Sequence, residues 1–105
     1  MPKLSVIIPA YNEDAYLEDA LRSVAFADEI IVIDSFSTDQ TVAIAKKYAT
    51  LVLERKFDNF SQQKNHALKH ATGDWVLFVD ADERVPYALR DEILKTIEDP
   101  QHSGY

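Results

Sequence analysis

The chain contains the run Asp74-Trp75-Val76-Leu77-Phe78-Val79-Asp80-Ala81-Asp82-Glu83, an apolar segment that ends in three carboxylates. Both residue parities from Trp75 to Val79 are apolar, which is typical of a strand buried on both faces in a parallel sheet. Side chains two apart on an extended chain point the same way, so Asp80 and Asp82 are expected to face one place, roughly 6 to 7 Å apart at the backbone. Such a pair suits Mg²⁺ or Mn²⁺, because one or two carboxylates often hold these ions while phosphate oxygens and water complete the coordination. The alternative is a solvated acidic turn after a strand.

The rest of the sequence alternates between short apolar segments and segments with helical spacing. The predicted strands are Leu4–Ile8, Glu29–Ile33, Thr50–Glu54 and Trp75–Val79. Because strand and helix alternate four times, we predict one α/β domain over residues 1–105. Its sheet is expected to be mostly parallel in the order 3-2-1-4, with right-handed crossovers and helices on both faces.

Capping residues and prolines predict where the helices begin and end. Asn12 is expected to cap the first helix and Gly73 to end the third, in the C-terminal position that glycine favours. Three of the helices are predicted as Asp39–Ala49, a segment that opens at Ser61, and Tyr87–Asp99, which follows Pro86 and ends before Pro100. The core stripe of the last helix is predicted to be Leu89, Ile93 and Ile97.

Three of the predicted strands end in polar residues, at Tyr11 to Glu13, Asp34 to Ser37 and Asp80 to Glu83. Ligands of such sheets bind beyond the carboxyl ends of the strands, where the strand order reverses, so we predict one crevice lined by these three segments. A glycine-rich phosphate cradle is excluded, because the only glycines are Gly73 and Gly104. Phosphates in the crevice would therefore be held through a metal.

The net charge and the absence of cysteine limit the kinds of ligand that the chain is expected to bind. The net charge is 11 − 18 = −7 and no cluster of Lys and Arg follows the pattern of a phosphate backbone, so we expect no nucleic-acid partner. The chain has no cysteine, so a bound metal would have oxygen ligands. No apolar run is long enough to cross a bilayer and the start at Met1 lacks the features of a signal peptide, so a cytoplasmic location is expected.

Two other phosphate chemistries place acids at strand ends. A response-regulator-like phosphoacceptor would need its acids after other strands and a late lysine, neither of which is evident. A haloacid-dehalogenase-like phosphohydrolase also carries an Asp-x-Asp motif, but on its first strand and usually followed by Thr or Val. Here the motif follows the fourth strand and the corresponding position is Arg84. This phosphohydrolase remains the second enzymatic interpretation.

Four ordered segments closely resemble the N-terminal half of family 2 glycosyltransferases. They are Leu4–Glu13, Ile33–Asp39, Gln63–Asn65 with Ala71–Asp74, and Asp80–Asp82. The last three together look most like bacterial lipopolysaccharide-core glucosyltransferases. The resemblance implies a GT-A fold with a Rossmann-like nucleotide-binding half. It also implies a UDP-sugar donor, Mg²⁺ or Mn²⁺, and inverting transfer to a glycan or lipid-linked acceptor.

On the nucleoside side, the resemblance implies that the loop from Pro9 to Glu13 lines the pocket, with Tyr11 near the base and Glu13 near base or ribose. Asp34 would accept a hydrogen bond from the uracil ring N–H. Tyr11 as a packing aromatic, Glu13 as an acid of the first helical turn and Asp34 as a turn residue remain alternatives. Phe36 stands where relatives usually have Gly, so the loop after the second strand is expected to take another path.

On the phosphate side, the resemblance places Lys64 near the diphosphate and makes Asn65 part of the same motif, although Lys64 could equally be a solvated helix residue. Asp80 would contact the ribose, or the metal through water, and Asp82 would bind the metal directly. In this family the catalytic base lies well downstream of these aspartates, so the catalytic residue stays unknown and Glu83 is only an outside candidate.

The chain is therefore expected to be a truncated N-terminal part that binds donor and metal. The full-length enzyme would lie at the cytoplasmic face of the inner membrane, and self-association of the fragment through its last helix is expected from apolar surface left uncovered. A non-catalytic module that binds nucleotide-sugars is the alternative.

Overall fold

Residues 2–98 are described by a computed structural model of the chain. Within them, four strands alternate with four helices: Leu4–Ala10 (β1), Leu17–Ser23 (α1), Glu29–Asp34 (β2), Thr41–Tyr48 (α2), Leu51–Glu54 (β3), Phe60–Leu68 (α3), Trp75–Phe78 (β4) and Tyr87–Glu98 (α4). All strand pairs are parallel and the order is β3-β2-β1-β4. This confirms the predicted class and strand order. The predicted end of the last helix at Asp99 and Pro100 lies outside the described residues.

Neighbouring residues of the central strand pack into two separate cores. Val6 and Ile8 belong to a cluster completed by residues of α1, α2 and α4, including Leu17 and Leu21. Ile7 belongs to a second cluster with Ala67 of α3. Successive side chains of a strand point to opposite faces, so β1 is apolar at both parities because both of its faces are covered. The prediction of helices on both faces is confirmed.

β1 runs two residues further than its predicted end at Ile8, and Pro9 lies inside the strand, opposite Ile33 of β2. The carbonyl of Ile7 accepts a hydrogen bond from the N–H of Val79, at 3.0 Å, on the side of β4. The backbone of Pro9, two residues on, faces the same side, but β4 has already ended opposite Ile7. Proline at position 9 therefore removes no hydrogen bond between strands, although it has no N–H. The polar loop starts at Tyr11.

The predicted capping role of Asn12 is wrong. The residue before α1 is Tyr16, which makes no side-chain capping bond. Asn12 instead adopts a left-handed backbone with φ 50°, a conformation that Asn tolerates better than most residues. Its side-chain oxygen accepts a hydrogen bond from the N–H of Thr38 at 2.8 Å. A contact between two loops has replaced the local cap.

The predicted capping role of Gly73 is also wrong, because α3 ends at Leu68 and its C-cap is Lys69. The helix begins at Phe60, one residue before the predicted Ser61, and Asn59 caps it with a side-chain oxygen that accepts from the N–H of Gln62. Gly73 is needed for a close approach: a Cβ there would lie 2.5 Å from the Ser5 hydroxyl oxygen.

Two helix details also differ from prediction. α2 begins at Thr41 rather than Asp39, because the Asp39 carboxylate remains in the preceding loop and accepts from the N–H of Thr41 at 2.9 Å. In α4, Ile93 and Ile97 are buried as predicted, but Leu89 is 44% exposed. The core stripe of α4 is therefore shorter than its apolar spacing suggests.

Candidate functional site

A cleft of about 540 Å³ lies at the carboxyl edge of the sheet. Five of the predicted site residues line it together: Pro9, Tyr11, Glu13, Asp80 and Asp82. The first three come from the end of β1 and the loop that follows it, and the two aspartates follow β4. Ser35, from the segment after β2, lines the cleft as well, so the structure brings together all three segments that the strand order was expected to join.

The loop that carries Tyr11 and Glu13 is held by the loop after β2. The N–H of Asn12 donates to the hydroxyl of Ser37 at 2.8 Å, and the N–H of Glu13 donates to the hydroxyl of Thr41 at 2.9 Å. Backbone N–H groups of this loop thus bind one side chain of the loop after β2 and one at the start of α2. Tyr11 therefore projects from a segment that is fixed on both sides, although its own side chain is 56% exposed.

Asp34 lies beneath the cleft rather than in its wall. Its side chain is fully buried, and its two oxygens accept from the backbone N–H of Ser37 at 2.7 Å and from the Ser37 hydroxyl at 2.5 Å. The next residue, Ser35, lines the cleft instead. Phe36 then takes a left-handed backbone with φ 60°, the conformation for which glycine is favoured. The contact between Asp34 and a uracil N–H stays a prediction.

Asp80 and Asp82 lie in a tight turn and not on an extended chain as predicted. The Glu83 N–H donates to the Asp80 carbonyl at 3.0 Å, which closes a four-residue turn. The Glu83 carboxylate accepts from the Asp80 N–H at 2.9 Å, so the turn is clamped in both directions. Both aspartates remain exposed and line the cleft. One oxygen of the exposed Glu83 carboxylate thus holds the turn, and its role as an outside candidate for the catalytic base stays a prediction.

Lys64 and Asn65 are not among the residues that line the cleft. The Lys64 ammonium lies 5.1 Å from the centre of the Phe78 ring at the end of β4, a cation–π geometry. Asn65 is exposed on α3. The predicted position of Lys64 beside a diphosphate stays a prediction, and in this structure its ammonium rests on an aromatic face.

Gln63, part of the Gln63–Asn65 motif, was not predicted to line the site, although it does. Sequence reasoning also missed Phe57 and Phe60, which lie in the segment from the end of β3 to the first residue of α3. The segment has no periodic pattern, so it gave no secondary-structure signal. The available signal was compositional: two phenylalanines stand in an otherwise polar stretch, Arg55–Phe60. The structure shows both side chains exposed, and apolar surface gathered in one exposed patch marks interaction or ligand-binding sites.

Gln63 is almost fully buried and joins the ends of β2 and β3 to α3. Its side-chain N–H₂ donates to the hydroxyl of Ser35 at 2.9 Å, and its carbonyl oxygen accepts from the guanidinium of Arg55 at 2.9 Å. Arg55 also pairs with Asp58 at 3.1 Å. These bonds fix the cleft wall, since a buried amide of this kind is costly to leave unpaired.

Glu29 lies at the amino end of β2, at the end of the sheet opposite the cleft, and it has a structural role. Its carboxylate accepts from the Ser5 hydroxyl at 2.8 Å and from both the N–H and the hydroxyl of Thr72 at 2.9 and 3.1 Å. Burial alone would raise the pKa of Glu29, but the bonds from Thr72 and Ser5 and the nearby charge of Lys3 outweigh it, so the pKa lies below its usual value. This acid ties β1, β2 and the segment before β4 together.

The carboxylates of the cleft suit a metal ion whose remaining ligands come from a bound phosphorylated molecule. Within residues 2–98, no group of three or more His, Cys, Asp or Glu side chains is arranged to hold an ion by itself. The cleft supplies two exposed carboxylates, Asp80 and Asp82. Mg²⁺ and Mn²⁺ prefer oxygen ligands, and Mg²⁺ commonly takes one or two carboxylates plus substrate phosphates. The donor set therefore fits such an ion once a phosphorylated ligand is present.

Comparison with known proteins agrees with this geometry. The profile of the family described as Glycosyl transferase family 2 matches residues 5–105. The lipopolysaccharide core biosynthesis glycosyltransferase LpsC of Rhizobium meliloti is 36% identical over 98 residues, which cover 87% of this chain and 36% of LpsC. The chain spans only 31 to 33% of the length of several curated Rickettsia relatives.

Two solved structures share the fold. Residues 1–349 of Staphylococcus aureus TarS in complex with UDP superpose with a TM-score of 0.74 at 37% identity, covering 88% of this chain and 31% of that chain. The mannosyltransferase PcManGT of Pyrobaculum calidifontis, in complex with GDP-Man and Mn²⁺, superposes with a TM-score of 0.77 at 34% identity. That match covers 94% of this chain and 33% of PcManGT.

Proposed function

This chain belongs to glycosyl transferase family 2, and we propose that it forms the donor- and metal-binding part of a glycosyltransferase that uses a UDP-sugar. The observation that carries the proposal is the cleft in which the loop after β1 meets the turn after β4. One side offers an aromatic ring and a carboxylate, Tyr11 and Glu13, and the other offers Asp80 and Asp82. A nucleoside diphosphate has the matching sequence of groups: base, ribose and diphosphate.

The proposed roles follow from the chemistry of each group. Glu13 is half-buried, and its carboxylate can accept hydrogen bonds from ribose hydroxyls, while Tyr11 contacts the base. Asp82, with Asp80, holds Mg²⁺ or Mn²⁺. When bound, the ion offsets the charge of the diphosphate and makes it a better leaving group. A metal between protein and ligand is needed because a chain with net charge −7 opposes a diphosphate. The UDP in TarS and the Mn²⁺ with GDP-Man in PcManGT support a nucleotide and an ion in this type of cleft.

We propose that transfer inverts the anomeric carbon. The acceptor hydroxyl oxygen forms the new bond on one face while the bond to the diphosphate breaks on the other, and a general base takes the hydroxyl proton. No base is assigned among residues 2–98, because Asp80 and Asp82 are given to the metal and the Glu83 carboxylate is bound to the Asp80 N–H. The acceptor is proposed to be a glycan or lipid-linked glycan of the lipopolysaccharide core, which the similarity to LpsC supports.

The proposed site of action is the cytoplasm, at the membrane face that presents a lipid-linked acceptor. Among residues 2–98, no helix has the length and apolar content needed to cross a bilayer.

Calorimetric titration of UDP tests the proposal. We expect binding in Mn²⁺ or Mg²⁺, strong weakening in EDTA, and loss of the metal dependence in Asp82→Ala. Asp91→Ala is the matched control, because it removes the same charge from an exposed position on α4, outside the cleft. Equal UDP affinity with metal, with EDTA and in Asp82→Ala would remove the role given to Asp82.

A further inference from the structure

The side chain of Ser37 connects a buried carboxylate to the loop that carries Tyr11. Its hydroxyl donates to one oxygen of Asp34 at 2.5 Å, and its backbone N–H donates to the other oxygen at 2.7 Å. The same hydroxyl oxygen accepts from the N–H of Asn12 at 2.8 Å. A serine hydroxyl has one hydrogen to donate and lone pairs with which to accept. Both capacities are used here, so one oxygen atom joins Asp34 to Asn12.

Asn12 depends on this bond because its backbone is left-handed, with φ 50°. Asn tolerates the left-handed region better than most residues, but outside glycine the conformation persists only where surrounding contacts impose it. Ser37 binds the N–H of Asn12, and the N–H of Thr38 binds its side-chain oxygen at 2.8 Å. Two neighbouring residues of the loop after β2 therefore set the conformation of Asn12.

Asn12 lies between the two residues that the proposed function assigns to the nucleoside, Tyr11 and Glu13. The Tyr11 side chain is 56% exposed, so its direction depends more on its backbone than on packing. On the other side of Tyr11, the carbonyl of Ala10 accepts from the N–H of Ser35 at 3.0 Å. Bonds to the loop after β2 thus flank Tyr11 on both sides. A change in the backbone of Asn12 would turn Tyr11 and Glu13 away from their present directions.

The aspartates of the turn after β4 are held by other bonds. That turn is closed by the two hydrogen bonds between Asp80 and Glu83, which do not involve Ser37. Loss of the Ser37 hydroxyl is therefore expected to disturb the Tyr11 side of the cleft and to leave Asp80 and Asp82 in place.

We propose that Ser37 is a positioning residue for donor binding. Anchored on the fully buried Asp34, it holds the left-handed turn at Asn12 and so directs Tyr11 and Glu13 toward the nucleoside. It contributes to the affinity for the nucleoside half of the donor and not to that for the diphosphate half. The inference rests on the proposed function, which places a nucleoside diphosphate in the cleft.

Calorimetric titrations of UDP and of inorganic pyrophosphate, both in Mg²⁺, test the inference. Ser37→Ala should weaken UDP roughly 3- to 10-fold, the factor that corresponds to one hydrogen bond, and should leave the affinity for pyrophosphate unchanged. Ser37→Thr keeps the hydroxyl and should bind UDP like the wild type.

Asn12→Ala tests the same connection from its other end. It leaves the bonds between Ser37 and Asp34 intact but disfavours the left-handed turn, so it should weaken UDP by a similar factor. Thr96→Ala is the matched control, because it removes a hydroxyl that makes one hydrogen bond on α4, outside the cleft. It should leave both affinities unchanged, and circular dichroism should show the variants folded. If Ser37→Ala does not fold, Asn12→Ala decides.

A variant cycle shows whether Ser37 acts through the loop. In a Tyr11→Ala/Glu13→Ala background, the remaining affinity for UDP comes from the diphosphate, and adding Ser37→Ala should weaken it no further. A loss as large as in the wild-type background would show that Ser37 acts without these two side chains, and it would overturn the inference.

Two other results would also overturn it while the proposed function stands. One is wild-type affinity for UDP in both Ser37→Ala and Asn12→Ala. The other is an equal loss of UDP and pyrophosphate affinity in Ser37→Ala, because the residue would then support the whole cleft. Failure of the wild type to bind UDP in Mg²⁺ is a different outcome, since it would overturn the proposed function and, with it, the role of Ser37.

Discussion

Gly73→Ala should destabilise the fold strongly without touching the cleft. A Cβ at this position would lie 2.5 Å from the Ser5 hydroxyl oxygen, 2.7 Å from the Ser5 backbone nitrogen and 3.0 Å from the Lys3 carbonyl oxygen. The hydroxyl can rotate away, but the other two atoms belong to the backbone at the start of the central strand. The Gly73 N–H also donates to the Ser5 hydroxyl at 2.9 Å, and that bond would be strained or lost.

These contacts set the expected magnitude. Overpacking costs about 1 to 3 kcal/mol, and losing one hydrogen bond adds about 1 kcal/mol. A loss of roughly 2 to 4 kcal/mol is a large part of the stability of a small domain and should lower Tm by roughly 10 to 25 °C. Thermal and urea unfolding followed by circular dichroism measure this loss directly.

A second variant separates the two kinds of clash. Ser5→Ala removes the nearest atom but not the backbone nitrogen at 2.7 Å, so the double variant should cost less than the sum of the two single variants and still remain less stable than Ser5→Ala. A Gly73→Ala variant as stable as the wild type would show that the backbone at Ser5 and Lys3 accommodates the Cβ and would contradict this prediction. Ordinary Gly-to-Ala substitution at a compatible position stabilises by about 0.4 to 1 kcal/mol.

Three further predictions concern the site and its support. Glu83→Ala should weaken metal-dependent UDP binding several-fold, because the hydrogen bond from the Asp80 N–H to the Glu83 carboxylate is lost. Glu83→Gln keeps an acceptor oxygen and should retain most of the affinity. Equal losses in both variants would show that the charge of Glu83 matters and not this hydrogen bond. The lowered pKa of Glu29 contributes stability that is present above the pKa of the unfolded chain and lost as pH falls through the folded pKa. Glu29→Gln should therefore be less stable than the wild type near pH 7 and approach it near pH 3 in urea unfolding, and a gap independent of pH would contradict this. The 105-residue chain with labelled UDP-glucose, Mn²⁺ and core-oligosaccharide acceptors should show no useful transfer, because positioned proton abstraction alone contributes typically 10²- to 10⁴-fold; robust transfer would place a base within it.

The layout of the sheet was predictable because its signal is local. Val6–Ile8 and Ile30–Ile33 are apolar at both parities, which is typical of strands covered on both faces. The alternation of strands with helices then leaves few possible arrangements. The positions of Tyr11, Glu13, Asp80 and Asp82 followed from the same layout, since parallel strands bring their carboxyl ends to one edge.

What could not be predicted depends on contacts between distant residues. Gly73 reads as a helix end, but its role comes from the approach of Ser5, 68 positions away. Asn12 was predicted to cap a helix, but its side-chain oxygen accepts a hydrogen bond from the Thr38 N–H instead. In each case a tertiary contact outweighs a local preference. Phe57 and Phe60 were missed for another reason: an irregular segment carries no period from which burial or exposure can be inferred.

Asp80 and Asp82 are proposed to hold a divalent ion together with the diphosphate of a nucleotide. This shared ion can be located by the broadening that paramagnetic Mn²⁺ causes in the amide spectrum of the labelled chain. With UDP present, small additions of Mn²⁺ should first broaden the signals of Ala81, Asp82 and Glu83, and Asp82→Ala should abolish the effect. The signals of Thr72 and Gly73, at the opposite edge of the sheet, should stay sharp.

The same titration can contradict the claim. Broadening centred on His66 of α3 and on His70, which follows the helix and whose ring lies 5.4 Å from that of His66, would place the ion outside the cleft. Broadening at the Asp80–Glu83 turn that is the same with and without UDP would show an ion that the nucleotide does not share. If the aspartates and the nucleotide share the ion, broadening at that turn grows when UDP is added and is lost with Asp82→Ala.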